Sequence, residues 1–411
     1  MIIANAIRNM VNPTWTRPEL MSGYVFSTAS GQSVSPESAK RIATVYRCAN
    51  AIAKDFAKIP LQQYISRRPG EIERVRPDGL RRNNAYLVEV QPNRGQLPFI
   101  VKYTAMMWLL FWGDCYIWTP PRRFREMFVL PSSSVEPIIK DDGQVYYRVQ
   151  FSDGVQDIPY PEVVHVMINS TDGLKGKSVL TYARESVGTK QAYNQVRDKL
   201  NDQGLMPGAM VHFEGDLSKD ARAKVQASYS EAVSGSGNAG RLLVLDGKVS
   251  KFETIPMNAA DAQFLENSKA TDVDIANFFE FPLYKLNMGK EAYNSNEQQK
   301  LDYLEGTLDP YMVQWEQAAQ IGWLTTDEQA YSYWRFNRDA FLRTDAKTRS
   351  EVVRNRLLSG QLEINEARAI EDQPRHPGGD VLLVPSNMAI MDRAGNIKPI
   401  SANSVSIQTG G

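Results

Sequence analysis

The sequence predicts an α+β protein. Segments with helical period stand toward both ends of the chain, and a run of short strands separated by Asp-Gly turns lies between them. No internal repeat is present, so the segments form one irregular series.

Met1 to Gly31, rich in Asn, Pro, Ser and Thr and lacking sustained periodicity, reads as a flexible arm. Ser35 is a suitable N-cap with Pro36 at the first helical position, and Ile42, Val45, Ala49, Ile52 and Phe56 continue a helical stripe that Pro60 ends. Leu61–Ser66 reads as a strand, and a polar, Arg-rich loop runs from Arg67 to Asn84. A second helix spans Leu97 to Trp112 and stops at Gly113. Strand signals follow at Tyr116–Trp118, Met127–Leu130, Ser134–Ile139, Val145–Phe151 and Val163–Ile168, with turns at Asp142-Gly143 and Asp153-Gly154.

From Ser178 the period becomes helical and continues to Gln203, before Gly204 and Pro207. A strand–helix–strand–strand unit comes next: Ala209–Phe213, a helix capped by Ser218, then Arg241–Asp246 and Lys248–Glu253. A helix over Ala259–Phe279 leads through Pro282 to a loop. A long helix begins at Ser295, whose capping box uses Gln298, and Pro310 inside it predicts a kink. Tyr331–Asn337 reads as a strand. Two short helices follow, Asp345–Leu358 with Thr344 as N-cap and Asn365–Glu371, and beyond Pro385 the tail is expected to be loosely ordered.

Composition excludes several classes. Lys+Arg and Asp+Glu both number 47, so no global basic field attracts nucleic acid. Cys48 and Cys115 are too few for a disulfide framework, and Asn5, Arg8 and Asn9 interrupt any signal-peptide core. The apolar stretch Ala105–Trp112, flanked by Lys102 and Asp114, falls short of the ~20 residues of a membrane span and reads as a buried helix or an interface.

Catalytic motifs are incomplete. Gly176-Lys177-Ser178 opens a helix after a strand, but a phosphate-binding loop needs glycine where Thr171 stands. Gly235, Gly237 and Gly240 match a dinucleotide fingerprint in letters but follow a helix and precede a strand, the reverse of the required order. His165, His212 and His376 lack metal-ligand spacing, and no Ser lies in a nucleophile elbow. No enzyme, metal or cofactor is therefore expected.

The helices over 178–204 and 257–281 differ in charge. Lys177, Arg184, Lys190, Arg197 and Lys199 face Glu185, Asp198 and Asp202 in the first count; Lys269 faces Asp261, Glu266, Asp272, Asp274 and Glu280 in the second. Two readings stand together: complementary pairing of neighbouring helices, and an acidic helix surface that repels anions.

Seven segments, in order, resemble the portal family of long-tailed phages with double-stranded DNA. They are Val45–Leu61, Gly113–Trp118, Pro161–Leu180, Gly237–Gly247, Asp261–Leu286, Tyr293–Met312 and the Asn365-Glu366-Ala367-Arg368 box. The resemblance implies a portal fold: a wing (32–177), a stem of paired long helices (178–204 and 257–281), a small α/β clip (205–256), and a tunnel loop (282–294). A long kinked wing helix and strand (295–343) and a short helical crown (344–385) complete it, between a flexible arm (1–31) and tail (386–411). It also implies a homo-oligomeric ring, a dodecamer, at one vertex of the virion capsid, formed in the host cytoplasm during assembly. Its implied partners are the terminase large subunit, a head–tail connector or adaptor protein, the major capsid protein and the double-stranded DNA passing through, with no membrane. The tunnel-loop candidates are Tyr284, Lys285, Asn287, Met288, Lys290, Glu291 and Tyr293; the channel-facing stem candidates are Asp261, Glu266, Lys269, Asp272 and Asp274. Nucleotide hydrolysis and a membrane pore are the alternatives, resting on Gly176-Lys177-Ser178 and on the Trp-rich stretch. In the crown the likeness is to the short version, and Glu363-Ile364 stands where relatives often carry a Thr-Pro cap.

Overall fold

The computed structural model describes residues 25–68, 70–121, 125–202, 209–213, 219–220, 249–254, 259–288, 296–342, 346–371, 373–383, 389–391 and 397–399. The chain divides into two units, Met1–Arg338 and Asp339–Gly411.

The first unit begins with a small hairpin of β1 (Phe26–Ser27) and β2 (Ser33–Val34), which corrects the expectation of an unstructured arm as far as residue 31. Its turn is anchored outside itself, because Ala29 N donates to Glu185 Oε2 at 3.0 Å. The helix expected from Ser35 is two helices. α1 (Pro36–Ala39) is closed by a reciprocal box in which Ser35 and Ser38 exchange side-chain and backbone hydrogen bonds. The chain then tightens, Ile42 N reaching Ala39 O, and α2 (Ala43–Lys58) starts afresh. α2 buries Val45, Ile52 and Phe56, each contributing about 1.5–3 kcal/mol by leaving water.

β3 (Leu61–Arg68) pairs with β4 (Glu71–Arg74) inside the segment expected to be loop. All four β4 residues are exposed, so no apolar alternation announced it. α3 (Asn84–Glu89) is capped by Asn83, whose side chain accepts from Tyr86 N. α4 (Pro98–Trp112) ends where Gly113 takes φ 89°, a conformation only glycine adopts freely.

Two three-stranded antiparallel sheets follow. One has the order β10 (Val163–Met167), β5 (Asp114–Trp118), β6 (Phe128–Leu130), and the other is the meander β7 (Val135–Ile139), β8 (Val145–Phe151), β9 (Gly154–Pro159). Tyr116, Trp118, Phe128, Tyr147 and Phe151 form the shared core. β9 is a further strand the sequence reading lacked; its first three residues are exposed and carry no stripe.

α5 (Val179–Asp202) and α6 (Ala259–Phe278) are long helices that pack on one another, with β11 (Ala209–Phe213) and β12 (Val249–Thr254) paired antiparallel between them in sequence. Of the expected helix after Ser218 only residues 219–220 are described, as helical, and the strand over 241–246 and the glycine motif at 235–240 lie outside the described residues. After α6 comes a single 3-10 turn, Leu283–Leu286. α7 (Asn296–Tyr303) and α8 (Asp309–Trp323) are joined by a π-helical turn, Leu304–Leu308. The expected effect of Pro310 is thereby relocated: the ring has no N–H to donate, and the wider turn just before it absorbs the interruption. The Ser295 cap lies outside the described residues. β13 (Ser332–Phe336) pairs with β3 in the order β13-β3-β4, closing a core where Phe56 meets Trp315 at 5.1 Å and Phe336 at 5.0 Å.

The second unit contains α9 (Asp339–Leu342), α10 (Ala346–Leu358) and α11 (Ile364–Ile370). Glu363 caps α11, its N–H donating to Glu366 Oε2, so the departure from a Thr-Pro start is accommodated by the acidic pair. The Thr344 cap falls outside the described residues. The tail is not wholly irregular, since β14 (Ala389–Met391) pairs with β15 (Ile397–Pro399).

Candidate functional site

The features that could carry function converge where α2, α5, α6 and the turn after α6 meet. α5 is first fixed at its root. Gly176 passes so close to Gly113 that an added Cβ would lie 2.1 Å from Gly113 O, and one on Gly113 would lie 2.5 Å from Lys177 C. Gly176 N donates to Asp114 Oδ1 at 2.7 Å, and the same oxygen meets His165 Nε2 at 2.8 Å. The backbone donor that a phosphate-binding loop would aim at an anion is thus occupied by a buried carboxylate of the chain itself. Gly176-Lys177-Ser178 is a crossing point.

Farther along, the two long helices are locked to α2. Lys190 Nζ contacts Asp272 Oδ2 at 2.7 Å and Ser268 Oγ at 2.9 Å, while Thr44 Oγ1 donates to Asp272 Oδ1 at 2.5 Å. Asp272 is 7% exposed, so this is an interior ion pair joining three helices. That corrects the placement of Asp272 on a channel wall: its charge is neutralised within the subunit. Glu266, Lys269 and Asp274 are exposed on α6, and for Asp261 the backbone alone, in α6, is described. The first reading of the charge contrast, pairing between the helices, therefore holds at one buried contact.

The turn after α6 is held in the same way. Lys285 Nζ meets Asp55 Oδ2 at 2.9 Å and lies 3.5 Å from the centre of the Tyr303 ring, while Arg47 donates to Lys285 O. Burial pulls the Lys285 ammonium below the ordinary lysine value, partly offset by Asp55. Burial alone would raise the Asp55 carboxyl, but hydrogen bonds and charge from Lys285 and Lys58 hold it below the usual carboxylate range. Lys285, a tunnel-loop candidate by resemblance, is accordingly fastened within the subunit. Tyr284 is half-buried, its hydroxyl donating to Gln299 O at 2.8 Å. Asn287 is exposed in the left-handed conformation at φ 57°, and Met288 is half-buried. Lys290, Glu291 and Tyr293 lie outside the described residues.

Thr44, Asp55, Asp114 and His165 are the residues that reading by motif missed. Asp114 had a signal, as a lone acid between apolar segments; Thr44 had none, because its partner lies 228 positions away. Among the described residues no group of three His, Cys, Asp or Glu could hold a metal ion, and no helix is long and apolar enough to cross a membrane.

Fold and site together define a structural subunit organised around two long helices clamped to a mixed α/β body. The chain belongs to the phage portal protein family, whose model matches residues 43–372. The portal protein of Enterobacteria phage HK97 is 26% identical over 374 residues, covering 90% of this chain and 86% of that protein. Among solved structures, an HK97 family phage portal protein from Corynebacterium diphtheriae matches with a TM-score of 0.55 at 16% identity, over 79% of this chain and 99% of that one. A chain from the neck of a native gene transfer agent particle, computed with C12 symmetry, matches with a TM-score of 0.52 at 18% identity, over 91% of this chain and 100% of that one. Portal proteins are structural capsid components and not enzymes, and this is the role of the family to which the chain belongs.

Proposed function

We propose that the chain is the subunit of a ring, a dodecamer, at one vertex of the capsid, through which double-stranded DNA is packaged and later ejected. The family match over residues 43–372 carries this reading. The likeness of nearly the whole chain to a subunit of a neck described with C12 symmetry supports the ring. On this reading residues 32–177 with 295–343 are the wing, 178–204 and 257–281 the stem, 205–256 the clip, 282–294 the tunnel loop and 344–385 the crown. The clip docks the terminase large subunit during assembly in the host cytoplasm and a head–tail connector afterwards, while the wing meets the major capsid protein.

The exposed charges Glu266, Lys269 and Asp274 are the stem residues left to face the channel, and Asn287 to Tyr293 is the part of the tunnel loop that follows the Asp55 fastening in sequence. A conduit must not grip its cargo. Each neutralised phosphate adds about 0.9 to the slope of log affinity against log salt, so a sliding contact requires few of them. Electron microscopy of the purified protein should show rings with a central hole, and anisotropy titrations should show weak DNA binding with a shallow salt slope. A persistent monomer would overturn the ring; nanomolar affinity with a steep slope would overturn the loose channel.

A further inference from the structure

Among the described helices α4 is the most apolar, and its first turn is exposed outward. Its only charged residue, Lys102, points inward, donating to Ile59 O at 2.7 Å. Leu97 just before it is 67% exposed, Ile100 41% and Phe99 36%, and Phe99 stacks on Tyr103. Tyr46 of the adjoining α2 is 44% exposed, extending the same surface. A helix apolar all round is at home in an interior, so an outward side of this kind requires a partner. The rim of that surface is cationic: Arg41, Arg47 and Lys54 are exposed, whereas Asp55, the one acid of α2, is held by Lys285.

The helix pair α7–α8 has the opposite character. Val313 is 37% and Ile321 53% exposed along one side, with Pro310 exposed one turn before Val313. Asp302 and Glu305 are exposed on the turns that precede this ridge, while Lys300 is half-buried. One chain therefore carries an aromatic face rimmed by cations and an apolar ridge with exposed acids on the turns before it. Two different, complementary patches on one subunit make a heterologous contact, the kind that repeats head to tail and closes into a ring.

We propose that the α2–α4 face of one subunit receives the α7–α8 ridge of a second copy of this chain. The proposal rests on the ring reading above and names the surfaces that would form it. Ile100→Asp and Ile321→Asp should each reduce the assembly to single chains of 46.3 kDa by light scattering. Each variant keeps one intact patch, so mixing the two should yield a two-chain species and no ring. Because Cys48 and Cys115 are buried, Ile100→Cys with Ile321→Cys can also be cross-linked in otherwise unaltered rings by bifunctional maleimides. A ladder of covalent oligomers is expected from the double variant alone. Intact rings from both Asp variants, or rings that give no ladder, would overturn this contact while leaving the ring reading in place. Rings that persist but no longer enter capsids would assign the face to a different protein, which also overturns it. An unaltered chain that never forms rings would instead overturn the ring reading itself.

Discussion

Removing the Lys190 ammonium should loosen both long helices, and the size of the effect follows from burial. The side chains of Lys190 and Asp272 are 12% and 10% exposed, 2.7 Å apart, so Lys190→Met strands a carboxylate in the interior. Losing one partner of a buried pair costs about 3–5 kcal/mol, whereas an exposed pair is worth about 0–1 kcal/mol. Thr44 contributes separately; Thr44→Val removes a hydrogen bond to a charged acceptor and should cost about 1.5–3 kcal/mol. Replacing both charges, Asp272→Leu with Lys190→Met, leaves no buried charge, only the Thr44 hydroxyl without its acceptor, and should recover most of the loss. Native-state hydrogen exchange is the suitable assay, because the chain has two units and a single melting curve would mix them. Amides of α5 and α6 should exchange about two to four orders of magnitude faster in Lys190→Met and close to normally in the double variant. A single-variant loss below about 1 kcal/mol would refute the reasoning, since it would mean that Asp272 is solvated.

Three further outcomes follow from local geometry. Gly176→Ala should cost about 3 kcal/mol or more, because backbone surrounds the missing Cβ and cannot swing aside, whereas exposed Lys177→Ala should stay within about 0.5 kcal/mol; soluble yield and circular dichroism melts check both. Glu280, exposed at φ 49° just after α6, should tolerate Asn or Gly with a gain of about 0.5–1 kcal/mol, read as a small rise in melting temperature. Burial pulls Lys102 down to about 8, so between pH 8 and the ordinary lysine value the unfolded chain binds the proton that the folded chain has released. This group's contribution to stability therefore rises with pH across that window, and Lys102→Met should flatten the rise in denaturant midpoints measured from pH 8 to 10.

Legibility in the sequence followed the reach of each interaction. α4 and its Gly113 stop, the strands from Asp114 to Met167 other than β9, and the two long helices rest on local period and turn chemistry, and they were readable. β4 and β9 were not, because they are held by neighbouring strands and show water mostly polar faces. The π-helical turn before Pro310 was hidden for a related reason: proline announces a lost donor without saying how the backbone recovers. Among site residues, charge counting along α5 and α6 exposed the contrast but not its use. Asp272 and Asp274 are two letters apart and equal in a sum, yet one is interior and the other exposed, a difference set by the helical rotation between them.

α2 explains why the two fastenings belong together. Thr44 lies in its first turn and reaches the interior pair between α5 and α6, while Asp55 in its last turn holds Lys285. Eleven residues separate them, about 16 Å along a helix axis, so one rigid rod spaces the helix pair from the turn that follows it. The rod is seated by Phe56 against Trp315 and Phe336, which ties its position to α8 and β13. Any displacement of α6 relative to α8 must therefore either carry α2 along or break the Thr44 hydrogen bond at one end or the Asp55 ion pair at the other. In a subunit whose proposed role is to let DNA slide past without yielding, the charges nearest the helix pair are placed to hold the frame.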